Sequence, residues 1–352
     1  MIKKEIMGLD LPELQQELLP LGLKKFRAEQ VFRWLYEKAA VDFSKMSNLG
    51  KETRKLLAER YTIATAAVNM LRESRSQDNL TWKVLLELTD GATVETVLMH
   101  HDYGYSVCLS SQVGCAMGCA FCASGLHGFV RNLTTAEILA QLYFFQHQLQ
   151  EKGERVSRVV VMGSGEPMLN LDNVLHALDI LHSDRGQGIG YRNMTISTCG
   201  VVPGIQKMTA LGCNINLAIS LHAADKALRT KLMPINQTYP FPEVIAAADA
   251  YEKSNGRQVM YEYILLSGIN DQPVHAEKLA DAVAGKECVI NLIPANPVPE
   301  KGFQRPSDKA VDRFFQILKK RRCNVTVRKE MGKDINAACG QLRAMALKEA
   351  EG

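Results

Sequence analysis

The feature that most restricts the fold is a strand–helix alternation that starts near residue 133 and runs to residue 327. Leu133-Thr-Thr-Ala-Glu137 opens a helix, with Thr134 or Thr135 as cap and Glu137 in the first turn. A strand over 158–162, a helix over 171–182, a strand over 194–197 and a helix over 204–211 follow. Next come a strand over 214–220, a helix over 241–254, a strand over 258–265 and a helix over 275–284. A strand over 288–293, a helix over 307–321 and a strand over 324–327 close the series. About six βα units with short connections predict a parallel sheet with helices outside it. Ligands of such sheets collect at the carboxyl ends of the strands.

Unusual residues fall at those ends. They read Met162-Gly-Ser-Gly-Glu-Pro-Met-Leu-Asn170, Ile196-Ser-Thr-Cys-Gly200, Ile219-Ser-Leu-His222, Leu265-Leu-Ser-Gly-Ile-Asn-Asp271 and Asn291-Leu-Ile-Pro-Ala-Asn296. The last strand leads to Gly332-Lys-Asp-Ile-Asn-Ala-Ala-Cys-Gly-Gln-Leu342. Gly163-Ser-Gly-Glu166-Pro167 lacks the third glycine of a dinucleotide fingerprint. Its glycines allow close backbone approach to a ligand, and Glu166 could accept from an ammonium group.

Upstream of the alternation the pattern differs. Residues 9–60 read as a helical module: a helix opening at Asp10-Leu-Pro-Glu, a second through Phe26, Val31, Phe32, Trp34, Leu35 and Tyr36, and a third over 51–61. Lys24, Lys25, Arg27, Arg33 and Lys38 lie on or beside the middle segment, either as a solvated face or as contacts to an RNA backbone. Trp82–Leu88 and Ala92–Leu98 then alternate around Asp90-Gly91, which predicts a β-hairpin with Glu95 in its second strand. The hairpin leads into Cys108-Leu-Ser-Ser-Gln-Val-Gly-Cys115-Ala-Met-Gly-Cys119-Ala-Phe-Cys122.

That cysteine stretch carries the chemistry. The chain holds nine cysteines in 352 residues, no run of apolar residues long enough for a membrane span, and a start that turns acidic too soon for a secretory signal. A cytoplasmic location is expected, and there an odd cysteine count favours metal or redox chemistry over a disulfide framework. Cys115, Cys119 and Cys122 suit an iron–sulfur cluster with one iron left open. Structural zinc with Cys108 as fourth ligand is the competing reading. The formal net charge of +4 and pI of about 8.5 fit RNA or a metabolic substrate equally.

Cys115-x3-Cys119-x2-Cys122 with a Gly-Glu-Pro strand end resembles the radical S-adenosylmethionine enzymes. Cys108-Leu-Ser-Ser-Gln-Val-Gly-Cys115, Gly128-Phe-Val-Arg-Asn-Leu133, Ser220-Leu-His222, Lys231-Leu-Met-Pro-Ile-Asn236 and Ala338-Cys339-Gly-Gln-Leu342 narrow the likeness to the RlmN/Cfr family, over nearly the whole chain. The resemblance implies an α/β fold, a partial (β/α)6 TIM-like barrel with a small helical N-terminal domain and a β-hairpin extension. The corresponding division is 1–75 as helical RNA-binding domain, 76–100 as hairpin, 101–345 as barrel and 346–352 as tail.

It also implies one 4Fe-4S cluster on Cys115, Cys119 and Cys122, whose open iron chelates S-adenosylmethionine, with two molecules of the latter used per turnover. Gly165, Glu166, Ser197, Ser220, Leu221, His222 and Asn296 match the family's S-adenosylmethionine contacts. Cys339 matches the cysteine that is methylated and gives up a hydrogen to the 5′-deoxyadenosyl radical. Cys108 matches the thiol that attacks Cys339 sulfur and releases product through a transient disulfide. Glu95 matches the proton acceptor.

The implied activity is C2 methylation of an adenosine in 23S rRNA and of the adenosine 3′ to the anticodon in certain tRNAs, with a flavodoxin as electron donor. Gly165-Glu-Pro167 and Asn291-Leu-Ile-Pro favour the C2 enzyme over the resistance-conferring C8 enzyme. A metal-bearing RNA-binding module without catalysis is the alternative from another class. Cys199, Cys213, Cys288 and Cys323 read as buried small hydrophobes, and Arg321-Arg322 and Arg328-Lys329 as solvated charges.

Overall fold

The computed structural model describes residues 3–296 and 298–328, with Ile335, Leu342, Arg343 and Ala346. The chain packs as two units whose segments interleave. One takes in the residues up to Val113 with Arg131–Gly163 and Asn170–Met194, the other Gly114–Val130, Ser164–Leu169 and the chain from Thr195.

The first unit begins with a short strand β1 (Lys4–Glu5) and helices α1 (Leu11–Leu18), α2 (Lys25–Tyr36) and α3 (Lys51–Arg60). Asp10 caps α1 and Glu13 answers it, closing a capping box, with Pro12 in the first turn where a missing N–H costs nothing. The helices bury Leu14, Leu18, Val31, Phe32 and Leu35 around Tyr36, whose hydroxyl accepts from Gly8 N–H and donates to Leu9 carbonyl oxygen. After α3 come β2 (Tyr61–Thr62), which runs parallel to β1, and the single turn α4 (Ala64–Ala67).

Strands β3 (Asn69–Arg75), β4 (Thr81–Glu87), β5 (Thr93–His101) and β6 (Gly104–Cys108) follow as an antiparallel series. The predicted hairpin is thus β4–β5, turned at Gly91 with φ +79°. Two additions lie outside the expectation: β3 on the far side of β4, and the antiparallel pairing of β6 with β5. A ribbon of β7 (Gln112–Gly114) and β8 (Phe129–Asn132) flanks the cysteine loop. Helix α5 (Thr135–Gln150) starts on a capping box between Thr134 and Glu137, and β9 (Val156–Val161) runs parallel to β6. Helix α6 (Leu171–His182) buries Leu171, Val174, Leu178 and Leu181, the face its periodicity predicts.

The second unit holds the regular beat. It runs β10 (Met194–Thr198), α7 (Val202–Ala210), β11 (Asn216–Ser220), α8 (Lys226–Leu232), α9 (Phe241–Asn255), β12 (Val259–Leu265), α10 (Pro273–Ala282), β13 (Cys288–Pro294), α11 (Asp308–Lys320) and β14 (Val325–Val327). The strands lie parallel in the order β10-β11-β12-β13-β14. Helix α8 is new relative to the sequence expectation.

Register puts polar residues on one face of this sheet. Ser197 pairs with Ala218, two residues from Ser220. Ser220 then pairs with Glu262, Glu262 with Asn291, and Asn291 with Thr326. Side chains alternate with period two, so all these residues share a face. No helix among the described residues is long and apolar enough to cross a membrane.

Candidate active site

In the second unit the cysteine loop is shaped by its glycines. Gly114 has φ +75°, and a Cβ there would lie 1.9 Å from the Gly128 carbonyl oxygen, which accepts from Cys115 N–H at 3.0 Å. No other residue fits that approach. Ala120 N–H donates to Leu232 carbonyl oxygen at 2.9 Å, and Cys122 N–H to Cys119 carbonyl oxygen at 3.2 Å.

The thiols of Cys115, Cys119 and Cys122 lie within electrostatic reach of one another. Burial first, and then the neighbouring sulfurs, push Cys115 up to about 11 and raise Cys119 as well. Cys115 and Cys119 thus resist ionising together. A polycationic group among them reverses that balance and takes them as thiolates, so the donor set fits an iron–sulfur cluster.

Glu166 stands beside the loop and is 2% exposed. Gly165 at φ +109° turns the chain so that one carboxylate oxygen accepts from Met168 N–H at 3.0 Å and the other from Cys199 N–H at 2.8 Å. Burial raises its pKa, and hydrogen bonds from the Cys199 thiol and backbone oppose the rise. Cys199, expected as a plain core thiol, therefore belongs to the site. Ser164 hydroxyl lies 3.1 Å from that of Ser124, joining the Gly-Glu-Pro turn to the end of the cysteine loop.

His222 is 6% exposed and has φ +58°, rare for a side-chain-bearing residue. Its Nδ1 accepts from Ile264 N–H at 3.0 Å, and Phe121 of the cysteine loop meets its ring edge-on at 4.8 Å. Burial lowers its pKa to about 3, so the ring is neutral with its proton on Nε2. Asn270 holds the turn by donating to the His222 and Ile264 carbonyls.

Arg229 on α8 was not singled out by the sequence. It is fully buried, and its guanidinium donates to the Leu221 carbonyl at 3.1 Å, Asn236 Oδ1 at 2.9 Å and the Cys199 carbonyl at 2.7 Å. It thereby ties two strand ends to the Pro234–Gln237 turn and places a cation near Cys119 and Cys199. Glu262 is the second omission. It is 5% exposed, accepts from Asn291 Nδ2 at 3.1 Å, and has its pKa raised by burial. The period-two placement of Glu262 and Asn291 inside apolar strands was the available signal.

The second unit thus holds Cys115, Cys119, Cys122, Gly165, Glu166, Ser197, Ser220, Leu221, His222 and Asn296. Ser197 and Ser220 are half-buried, Leu221 is buried and Asn296 is exposed. The first unit holds Glu95 and Cys108, both buried. Val97 pairs with Cys108 and is two residues from Glu95, so thiol and carboxylate share a face of the antiparallel strands. Cys339 and Lys329 lie outside the described residues. Cys288 is buried as expected, whereas Cys213 and Cys323 are half-exposed, and Arg321 is ion-paired with Glu277 and Asp281.

Parallel strands that present a three-thiolate loop and a buried glutamate at their carboxyl ends define a radical S-adenosylmethionine protein, and residues 109–280 match that superfamily. The solved structure of a radical SAM methyltransferase from Sphaerobacter thermophilus is 41% identical, with a TM-score of 0.92 over 96% of this chain and 98% of that one.

Residues 4–63 match the ribosomal RNA large subunit methyltransferase N-terminal domain. A probable dual-specificity RNA methyltransferase RlmN of Bacillus licheniformis is 47% identical across 99% of this chain and 95% of its own length. Its counterpart in Bacillus subtilis is 47% identical across 97% and 93%. The chain belongs to the RlmN family of radical SAM RNA methyltransferases. Membership in that superfamily implies a 4Fe-4S cluster and S-adenosylmethionine as cofactors.

Proposed function

We propose that this protein methylates C2 of an adenosine in the peptidyl-transferase region of 23S rRNA, and the adenosine 3′ to the anticodon in tRNA. The observation that carries the reading is the gathering of Cys115, Cys119 and Cys122 in one loop beside buried Glu166. The dual-specificity name of relatives that match almost the full chain supports both substrates.

When bound, the cluster and S-adenosylmethionine supply an electron and a 5′-deoxyadenosyl radical. Cys115, Cys119 and Cys122 hold the cluster, while Gly165, Glu166, Ser197, Ser220, Leu221, His222 and Asn296 hold the methionine and adenosine parts. Neutral His222 offers Nε2–H as a donor, a state that burial keeps unchanged across physiological pH.

Cys339 would take a methyl group from one S-adenosylmethionine, and that methyl group would lose a hydrogen atom to the radical derived from a second. The methylene carbon would then join the adenine ring, one electron would leave the ring for the cluster, and Glu95 would take the ring proton. Cys108 attacks the Cys339 sulfur, the sulfur–carbon bond breaks with its electron pair going to carbon, and a proton completes the methyl group. A transient Cys108–Cys339 disulfide remains and must take up two electrons before the next turnover, while a flavodoxin is the donor proposed for the cluster. In this scheme residues 1–75 and the hairpin 76–100 engage RNA, while 101–345 carry out the chemistry.

Mass spectrometry of RNA treated with the purified enzyme tests the site of methylation, with 2-methyladenosine expected. Finding 8-methyladenosine as sole product overturns the C2 assignment in favour of Cfr-like chemistry. Cys108→Ala should trap a covalent protein–RNA adduct. Free methylated RNA released from that variant at the parental rate removes Cys108 from its role. A reduced protein that yields no 5′-deoxyadenosine from S-adenosylmethionine would be the non-catalytic RNA-binding module instead.

A further inference from the structure

Strands β4, β5 and β6 place an unexpected charge diagonal to the proposed base. Lys83 on β4 is 0% exposed, and its ammonium lies 3.0 Å from a carboxylate oxygen of Glu95 on β5, which is 3% exposed. Lys83 pairs in register with Val97, and Val97 pairs in turn with Cys108. Directly opposed residues of antiparallel strands project to the same side. Lys83, Glu95 and Cys108 therefore share one face, with Glu95 one diagonal step from each of the other two.

The immediate surroundings add no second counter-charge on those strands. Leu85 lies opposite Glu95 on β4. On the other side Ser110 hydroxyl donates to the Glu95 backbone carbonyl at 2.7 Å, and Thr96 hydroxyl bonds the Cys108 carbonyl at 2.8 Å. These two bonds fix the backbone between carboxylate and thiol. The titratable groups on that face of the neighbouring strands are Lys83 and Glu87 on β4, the latter paired with Thr93 and one diagonal step from Glu95 on the side away from Lys83, and Cys108 on β6.

A lysine buried this deeply in a strand of valines and leucines is costly unless it is paired. An apolar residue at position 83 would serve packing alone at least as well, since buried ion pairs are poor sources of stability. What the pair does supply is a carboxylate held in a fixed direction out of water. Fixed direction is what a proton acceptor needs, because the transfer demands hydrogen-bond reach to the proton.

We propose that Lys83 is the positioning residue of the proton-transfer step, its buried ammonium pairing with the Glu95 carboxylate and aiming it across the sheet face that carries Cys108. The inference rests on the reading of Glu95 as proton acceptor. The step is a proton transfer alone: the ring C–H bond breaks, its electron pair stays on the ring, and the proton goes to a Glu95 oxygen. The neutral Lys83–Glu95 pair then carries one positive charge until the proton leaves.

The test uses the full-length, cluster-loaded, reduced enzyme with S-adenosylmethionine and a 23S rRNA fragment bearing the target loop. Covalent protein–RNA adduct, free methylated RNA and 5′-deoxyadenosine are followed together. Lys83→Met should form adduct and 5′-deoxyadenosine at parental rates, yet accumulate the adduct and release methylated RNA about tenfold or more slowly, short of the roughly hundredfold or greater loss expected when a general base is removed outright.

Release at the parental rate overturns the proposal. So does a parallel loss of adduct and release, because a residue that only supports the fold would weaken every step together. Should Lys83→Met not fold, Lys83→Gln, which keeps a donor for Glu95 without its charge, carries the same comparison. Glu95→Gln separates the two levels. If that variant releases RNA normally, the base assignment itself fails. If it stalls while the Lys83 variant releases normally, the role of Lys83 alone fails.

Discussion

At His222, burial and then the nearby Arg229 cation fix the charge. The folded imidazole takes a proton only near pH 3, against 6.5 for the unfolded residue. Its folded value is depressed, so between those limits the unfolded state binds more protons and acid favours unfolding. The contribution is fully present above about pH 6.5 and is lost at roughly 1.4 kcal/mol per unit as pH falls toward 3. His222→Gln lacks that slope. Urea midpoints measured between about pH 7 and about pH 5.5 should fall less steeply in the variant than in the parent. Parallel profiles would show that His222 already titrates normally in the fold.

His222 was legible as a candidate because it ends a strand beside a serine, whereas Arg229 was not. The segment Lys226-Ala-Leu-Arg-Thr-Lys-Leu232 has two leucines and a polar majority, so it reads as loop. Its helix forms because Asp225 caps it by accepting from Leu228 N–H, and because three acceptors wait for the guanidinium inside. Long-range satisfaction of a buried cation leaves no local trace.

At the scale of elements, the cysteine loop depends on the β7–β8 ribbon that brings its ends together. Gly114 and Gly128 both have positive φ, +75° and +67°. They differ in what surrounds them. A methyl on Gly114 would collide with the Gly128 carbonyl, while one on Gly128 meets nothing within 4 Å. Gly128→Ala should cost only the left-handed penalty of about 1–2 kcal/mol. Gly114→Ala should open the ribbon, and with it the arrangement of Cys115. The measurement is iron content after anaerobic reconstitution: Gly128→Ala should retain parental iron, and Gly114→Ala should lose most of it. Equal retention would mean the ribbon does not organise the ligands.

Helix α6 and hairpin β4–β5 were readable because each has an apolar face at its own period and a recognisable start or turn. Strand β3 was not, since as an exposed edge strand with arginines and glutamate it shows no alternating apolar face. Its partner strand alone makes it a strand.

At the scale of the molecule, net charge of +4 says little, and placement says more. Of the basic residues in the N-terminal module, Arg27 is held by Gln30 and the Asn48 carbonyl, Lys38 lies 4.1 Å over the Trp34 ring, and Arg33 faces Glu37 at 4.0 Å. Lys24 and Lys25 are exposed at the start of α2, where Lys24 is the N-cap and no side chain caps the helix. Cations there oppose the helix dipole, so the local choice costs stability. Such departures from local preference mark function when a partner repays them. An RNA phosphate at that helix end would do so.

Lys24→Glu with Lys25→Glu should therefore move two quantities in opposite directions. Thermal stability should rise by roughly 0.3–1 kcal/mol, because acids replace cations at the helix start. Affinity for the RNA substrate should fall, and the slope of log affinity against log salt should flatten by about one for each phosphate contact removed. Iron content and 5′-deoxyadenosine formation without RNA should stay at parental values, because the cluster residues lie in the other unit. A variant that gains stability and binds RNA with unchanged affinity and salt slope would return both lysines to a merely solvated face.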